Sequence, residues 1–427
     1  MLFINFGRIL RENDIYKTTI IYNKTLLLMR KILPLLAAIA VAFQLSAAPV
    51  DVSTAKNKAQ QYLAQKVYAG KYMAPGATDA KLIKTEMGEN AQTPVYYIFN
   101  TATTFVIVSG DDRAEEILAY GDKPLILERI PKNMQVWLDG YKEQLDWLLT
   151  HPDAKVSKPT TFKSRDLVNN VTGPLMTALW DQTAPYNNLC HFTYSGTTYE
   201  CYTGCPATSA SMVLYYWKYP IDPVGPVAAY TATLDLGYWN SVTYTYAALP
   251  QVTFDWDNMK DKYGTWYDEN GTTHNEPYTT EEGSAVATLM RYVGQAEHMM
   301  YGTAAAGGSG IYTTDAQNVA DMFIEFGYDE ATTHLVLKSS YNETSWANLL
   351  QTEIAEGRPV VYMAVDPSAG GHAFNVDGFN SNTNKYHINF GWSGDGNSWC
   401  AMNSFSDGSY NFNSDQQMVS VFSHQWA

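Results

Sequence analysis

The chain of 427 residues reads as an α+β protein in two blocks: a small α+β unit, then a larger domain that is helical first and an antiparallel sheet last. Three observations carry that reading. Hydrophobic residues make up 46% and charged residues 17%, with 31 Tyr and 11 Trp, which supports a packed core and excludes a disordered chain. Apolar residues recur at helical spacing in some segments and alternate or run together, as strands require, in others. Between the blocks lies a stretch of Pro, Ser, Thr and basic residues with few apolar ones.

The opening segments are set apart from the fold. Residues 1–28 read as an upstream extension. Met29-Arg30-Lys31, the apolar run Ile32 to Phe43 and the small residues Ser46-Ala47-Ala48 read as a secretory signal over 29–48. Neither that run nor any later one reaches the roughly eighteen apolar residues of a spanning helix, so no membrane span is expected.

Residues 49–165 form the first block and its linker. Ala55, Ala59, Tyr62, Leu63 and Val67 recur at helical spacing, VYYIF (95–99) and FVIVS (105–109) read as strands, and Val136, Trp137, Tyr141, Leu145 and Leu148 form an apolar stripe on a second helix. From His151 to Arg165, Pro152 and Pro159 accompany Lys155, Lys158, Lys163 and Arg165, an exposed tether open to proteolysis.

Residues 166–427 form the second block. TGCPATSASMVLYYWKYP (203–220) reads as a helix opened by Cys205 and Pro206 and stopped before Pro220. KSSYNETSWANLLQTEIAEG (338–357) reads as a helix ended by Gly357. PVVYMAV (359–365), HAFNVDGF (372–379) and KYHINFGW (385–392) read as the strands of the terminal sheet.

A net charge of −15 repels phosphate backbones, so nucleic acid is excluded as a partner. Four cysteines in 427 residues are no disulfide scaffold. Cys190 and Cys201 stand close enough to close a small loop, and Cys201-x-x-x-Cys205 lacks the second ligand pair that a zinc site needs. No metal or cofactor is expected. The glycine-rich GTAAAGGSG (302–310) lacks the Lys-Ser/Thr ending of a phosphate loop and reads as a surface loop.

Cys205, placed as the N-cap of its helix, would face the positive end of the macrodipole and unpaired N–H groups, both of which favour thiolate. Far along the chain, Gly370-Gly371-His372 sets a histidine at a strand start behind two residues without side chains, open to a close approach. His387 is the rival, on a neighbouring strand, and fits a sheet-face residue better. Asn389 lies on the strand after His372, near enough in a simple hairpin to hold the imidazole, and Gln182 precedes Cys205 by about twenty residues as a candidate oxyanion donor. The order Gln, Cys, His, Asn is that of papain-like peptidases.

On FVIVSGDDRAEEILAYG (105–121), WDQTAPYN (180–187), TGCPATSASMVLYYWKYP, LMRYVG (289–294), MMYGTAAAGGSG (299–310), GGHAFNVDGFN and YHINFGWSG (386–394), the chain resembles the streptopain family of secreted bacterial cysteine peptidases. The likeness implies a papain-like fold, a helical subdomain plus an antiparallel sheet subdomain, preceded by a small α+β pro-domain acting as intramolecular inhibitor. It implies protein or peptide substrates, Cys205 as nucleophile, His372 as general base, Gln182 as oxyanion donor, Asn389 or the backbone of Phe390-Gly391 as orienter, and Trp392 as an aromatic wall. It also implies removal of the pro-domain near Lys163–Arg165 or Asn169-Asn170. Two departures stand out: Phe390 where relatives carry Trp, and Pro206 where they carry an aliphatic residue; neither removes a reacting group. An amidase or transglutaminase would use the same Cys and His, but it leaves Gln182 and the front block unexplained. A silent binding protein would have lost a reacting residue.

Overall fold

The structure is a computed structural model. It describes residues 49–67, 79–154, 156, 171–237, 240–267, 273–366, 370–403 and 416–421. The signal stretch, most of the linker and the expected cleavage positions lie outside these residues.

The first block forms as its periodicities dictate. Helix α1 (Val52–Val67) is capped by Asp51, which accepts the N–H groups of Ser53 and Thr54, and it buries Ala55, Ala59 and Leu63. Strands β1 (Lys81–Met87), β2 (Pro94–Asn100), β3 (Phe105–Ser109) and β4 (Ile117–Gly121) make an antiparallel meander. Helix α2 (Lys132–Thr150) buries the whole predicted stripe, Val136, Trp137, Tyr141, Leu145 and Leu148.

In the second block, helices α3 (Cys205–Trp217), α4 (Thr280–Ala296) and α5 (Gln317–Glu325) precede helix α6 (Glu343–Ala355) and strands β5 (Val360–Asp366), β6 (Gly370–Asn380), β7 (Lys385–Asn389) and β8 (Ser398–Cys400). The two-residue period of β5 splits the core. Val361 and Met363 pack with α3, while Val360, Tyr362 and Ala364 pack on the opposite face with α2 and α6. Trp137 of α2 meets Phe374 of β6 edge-on, ring centroids 5.7 Å apart. The front block therefore supplies part of the core under the terminal sheet.

Strand β4 pairs with β8, Tyr120 opposite Trp399 and Ala119 opposite Cys400, so one sheet runs β1-β2-β3-β4-β8-β7-β6-β5 and on through Gln417–Ser420 to His334–Leu337. The segment Val171–Thr172, just past the linker, pairs with the far end of β6. The helical side also carries three hairpins that its reading as helical misses: His191–Tyr194 with Thr197–Glu200, Tyr230–Gly237 with Asn240–Tyr246, and Gly264–Tyr267 with Thr273–Glu276. Their alternation is of Thr and Tyr rather than of strong hydrophobes; Thr231 and Thr233 face water while Ala232 and Leu234 are buried.

Candidate active site

The turn before α3 is set by Gly204 rather than by Cys205. Gly204 has φ +90°, and a Cβ there would stand 2.6 Å from the Met299 sulfur, so no other residue fits without a shift. Its carbonyl accepts the first intrahelical bond, from the Thr208 N–H at 3.0 Å. Gly204 is thus the N-cap, Cys205 the first helical residue and Pro206 the second, one position later than the sequence suggests. The Cys205 N–H becomes the first of the helix's unpaired donors, beside the sulfur.

The sulfur does not gain the ionisation that a helix terminus alone would confer. Burial pushes the Cys205 thiol up to about 11, against the downward pull of the Ala373 and Cys205 N–H groups and of Lys132; Glu297 adds to the rise. The Ala373 N–H lies 3.3 Å from Sγ and donates to it. Glu297, at the end of α4, is fully buried, and neither carboxyl oxygen has a hydrogen-bond partner among the described residues. Burial holds its carboxyl well above the usual range. The other cysteines are buried thiols: at the open end of their hairpin the Cys201 N–H donates to the Cys190 carbonyl at 2.9 Å while both thiols stay free, and burial raises Cys190, Cys201 and Cys400 to about 12 each.

Strand β6 carries His372 opposite Ala364 of β5, half-buried, with Ala373 as the link to Cys205. Cys205 and His372 line the same cleft, of about 400 Å³, whose walls include Pro206, Ile311, Thr313 and Met363. His387 is held elsewhere: its Nδ1 lies 2.6 Å from buried Asp377, whose second oxygen accepts the Met176 N–H. That pair ties the start of the second block to the sheet.

Gln182 is buried, and its carbonyl accepts the Thr203 N–H at 3.2 Å, which sets it beside the turn leading into Cys205. Asn389 is not brought to His372. The register pairs it with Asn375, and its amide donates to the Ala178 carbonyl at 2.8 Å and accepts the Gly391 N–H at 3.1 Å. Trp392 lies beyond the end of β7, edge-on to Tyr202 at 6.4 Å.

Residues of the front block reach this site. Asn133, in the first turn of α2 and 1% exposed, donates to the Ala373 carbonyl at 2.7 Å and the Phe390 carbonyl at 3.2 Å, and accepts from the Trp392 indole at 3.4 Å. Lys132 donates to the Gly307 carbonyl at 3.1 Å, and Arg129 pairs with Asp395. The apolar stripe of α2 hides Asn133 from a sequence reading. The one available signal is an amide at the end of a helix that is otherwise amphipathic.

Among the described residues no group of three or more His, Cys, Asp or Glu could hold a metal, and no helix is long and apolar enough to cross a membrane.

A cysteine at a helix start, sharing a cleft with a histidine of the facing sheet, is an arrangement suited to acyl transfer through a thiol. The profile of the Peptidase C10 family matches residues 180–400, and the chain belongs to that family. A Spi protease inhibitor profile matches residues 47–145. Streptopain of Streptococcus pyogenes is 28% identical over 80% of this chain and 81% of its own. The thiol protease/hemagglutinin PrtT of Porphyromonas gingivalis is 26% identical over 88% of this chain and 42% of its own. The structure of a prointerpain A fragment from Prevotella intermedia, with one cysteine mutated to alanine, superposes with a TM-score of 0.60 at 28% identity, covering 80% of this chain and 98% of that one.

Proposed function

We propose that the protein is a secreted cysteine endopeptidase made as a zymogen, with Cys205 as nucleophile and His372 as general base. The 3.3 Å bond from the Ala373 N–H to the Cys205 sulfur carries this reading, because it ties the residue next to His372 to the reacting atom. Cys205 attacks a peptide carbonyl, and the oxyanion is received by the Gln182 amide and the Cys205 N–H. His372 then protonates the leaving amine, and water, deprotonated by His372, hydrolyses the thioester. Asn389 supports the histidine indirectly, by holding the entry to Phe390-Gly391, and Trp392 forms the aromatic wall.

Residues 49–165 act as the intramolecular inhibitor. Asn133 occupies the Ala373 and Phe390 carbonyls on the sheet side of the cleft, and the likeness to a solved prointerpain A fragment supports a pro-form. Cleavage falls between Lys163 and Asn170, and residues 29–48 direct secretion.

Cys205→Ala and His372→Ala are each expected to lower hydrolysis of a protein substrate by at least about a thousandfold and to leave the precursor uncut. Casein cleavage undiminished in Cys205→Ala would refute the assignment.

A further inference from the structure

Asp181 spends both carboxylate oxygens on the segments that frame the nucleophile. Its Oδ1 accepts the Gln182 N–H at 2.6 Å, the Thr183 N–H at 3.0 Å and the Thr183 hydroxyl at 3.1 Å. Its Oδ2 accepts the Ser393 hydroxyl at 2.9 Å. Ser393 is buried, has a left-handed φ of +51° and donates its own N–H to the Trp180 carbonyl at 3.0 Å. With the bond from Asn389 to Ala178, three links staple residues 178–181 to residues 389–393. A fourth, from Thr203 to the Gln182 carbonyl, joins the same segment to the turn before Cys205.

The chemistry of such an arrangement is specific. An oxyanion donor works only if it is held before charge develops, and a glutamine side chain has three rotatable bonds to be controlled from its backbone outward. Asp181 fixes that backbone directly and, through Ser393, fixes its spacing from the turn that carries Trp392. Charge-assisted bonds from two N–H groups and two hydroxyls are strong enough to hold a left-handed serine in place.

We infer that Asp181 is the positioning residue of the oxyanion site, setting Gln182 against the start of α3 and clasping the helical wall of the cleft to the sheet wall through Ser393. This rests on the proposed role of Gln182 and adds to it a residue that touches neither substrate nor sulfur.

The test uses the processed enzyme with Asp181→Ala, Asp181→Asn, Ser393→Ala, Gln182→Ala and the double variant Asp181→Ala/Gln182→Ala. For each, kcat and KM are measured on a peptide amide, together with the rate of Cys205 alkylation by iodoacetamide, which needs the thiolate but no oxyanion donor. Asp181→Ala is expected to lower kcat about 10- to 100-fold, with KM and alkylation within about twofold of wild type. Asp181→Asn, which keeps one accepting oxygen for the Gln182 and Thr183 N–H groups and turns the other into a donor toward the Ser393 hydroxyl, is expected to recover to within about threefold, and Ser393→Ala to fall between. The double variant is expected to be no slower than Gln182→Ala alone, because Asp181 acts through Gln182.

Unchanged kcat in Asp181→Ala, a loss of alkylation parallel to the loss of kcat, or additive losses in the double variant would each overturn the inference. A Gln182→Ala enzyme with full kcat would instead overturn the oxyanion assignment itself. Should Asp181→Ala fail to fold, Ser393→Ala alone and combined with Gln182→Ala gives the same additivity test.

Discussion

Three side chains decide how reactive the site is, and two of them are announced by the sequence. Cys205 is conspicuous between Gly204 and Pro206, and His372 behind two glycines. Glu297 is not, since a glutamate near a helix end ordinarily faces water. Its burial close enough to Cys205 to oppose ionisation of the thiol depends on how α4 packs, which spacing along the chain does not reveal. A raised carboxyl value means that the fold gains from the protonated form below the ordinary value of 4.5 and loses that gain as pH rises above it. Glu297→Leu, which removes the unpartnered carboxyl, is therefore expected to stabilise the protein by about 1–3 kcal/mol at neutral pH and by much less near pH 4. Urea unfolding at the two pH values measures this; equal effects at both would contradict it. Asn389 shows the converse difficulty. Its strand was legible, but its partner was not, because a hairpin reading brings it near His372 while the actual register sets it opposite Asn375.

Helix α3 was legible because proline, small residues and a buried apolar run all point to one start, and its true N-cap lies one residue earlier for a reason the turn supplies. Gly204 must adopt φ +90° against Met299. Gly204→Ala is expected to cost about 1–3 kcal/mol of stability and to displace the Cys205 N–H, lowering kcat more than KM. Thermal unfolding and steady-state kinetics check both, and a variant with wild-type kcat would contradict the placement of that N–H in the site. The strands of the terminal sheet were equally plain, since β5 buries both faces and reads as a continuous apolar run. The three hairpins were not, because exposed Thr alternates with more buried Tyr on them, and a reading tuned to strongly apolar residues finds little contrast there.

In the whole molecule, the front block is built into the sheet and core of the peptidase rather than resting on its surface. Strand β4 extends the terminal sheet, Trp137 enters its core, and Asn133 reaches the carbonyl next to His372. The division into two blocks and a linker rests on shifts in composition, which carry no mark of the shared sheet, because edge pairing of three-residue β8 leaves no periodic mark. Asn133→Ala removes three hydrogen bonds between the blocks at about 1 kcal/mol each and is expected to speed conversion of the precursor at least tenfold, followed on gels over time. A rate equal to wild type would show that the inhibitory contact lies elsewhere.

The central claim is that Cys205 is the peptidase nucleophile and His372 the base that takes its proton. The most direct measurement is the pH dependence of Cys205 alkylation in the processed enzyme, as wild type and as His372→Ala cut by a trace of wild-type enzyme, read by peptide mass mapping beside peptidase activity. Burial raises the Cys205 thiol, so its ionisation near neutrality depends on His372 taking the proton. Wild-type enzyme is expected to be labelled near neutrality at Cys205 with equivalent loss of peptidase activity, and the His372→Ala form only in alkali. Equal labelling of the two forms at pH 7, or full activity after Cys205 is alkylated, would contradict it.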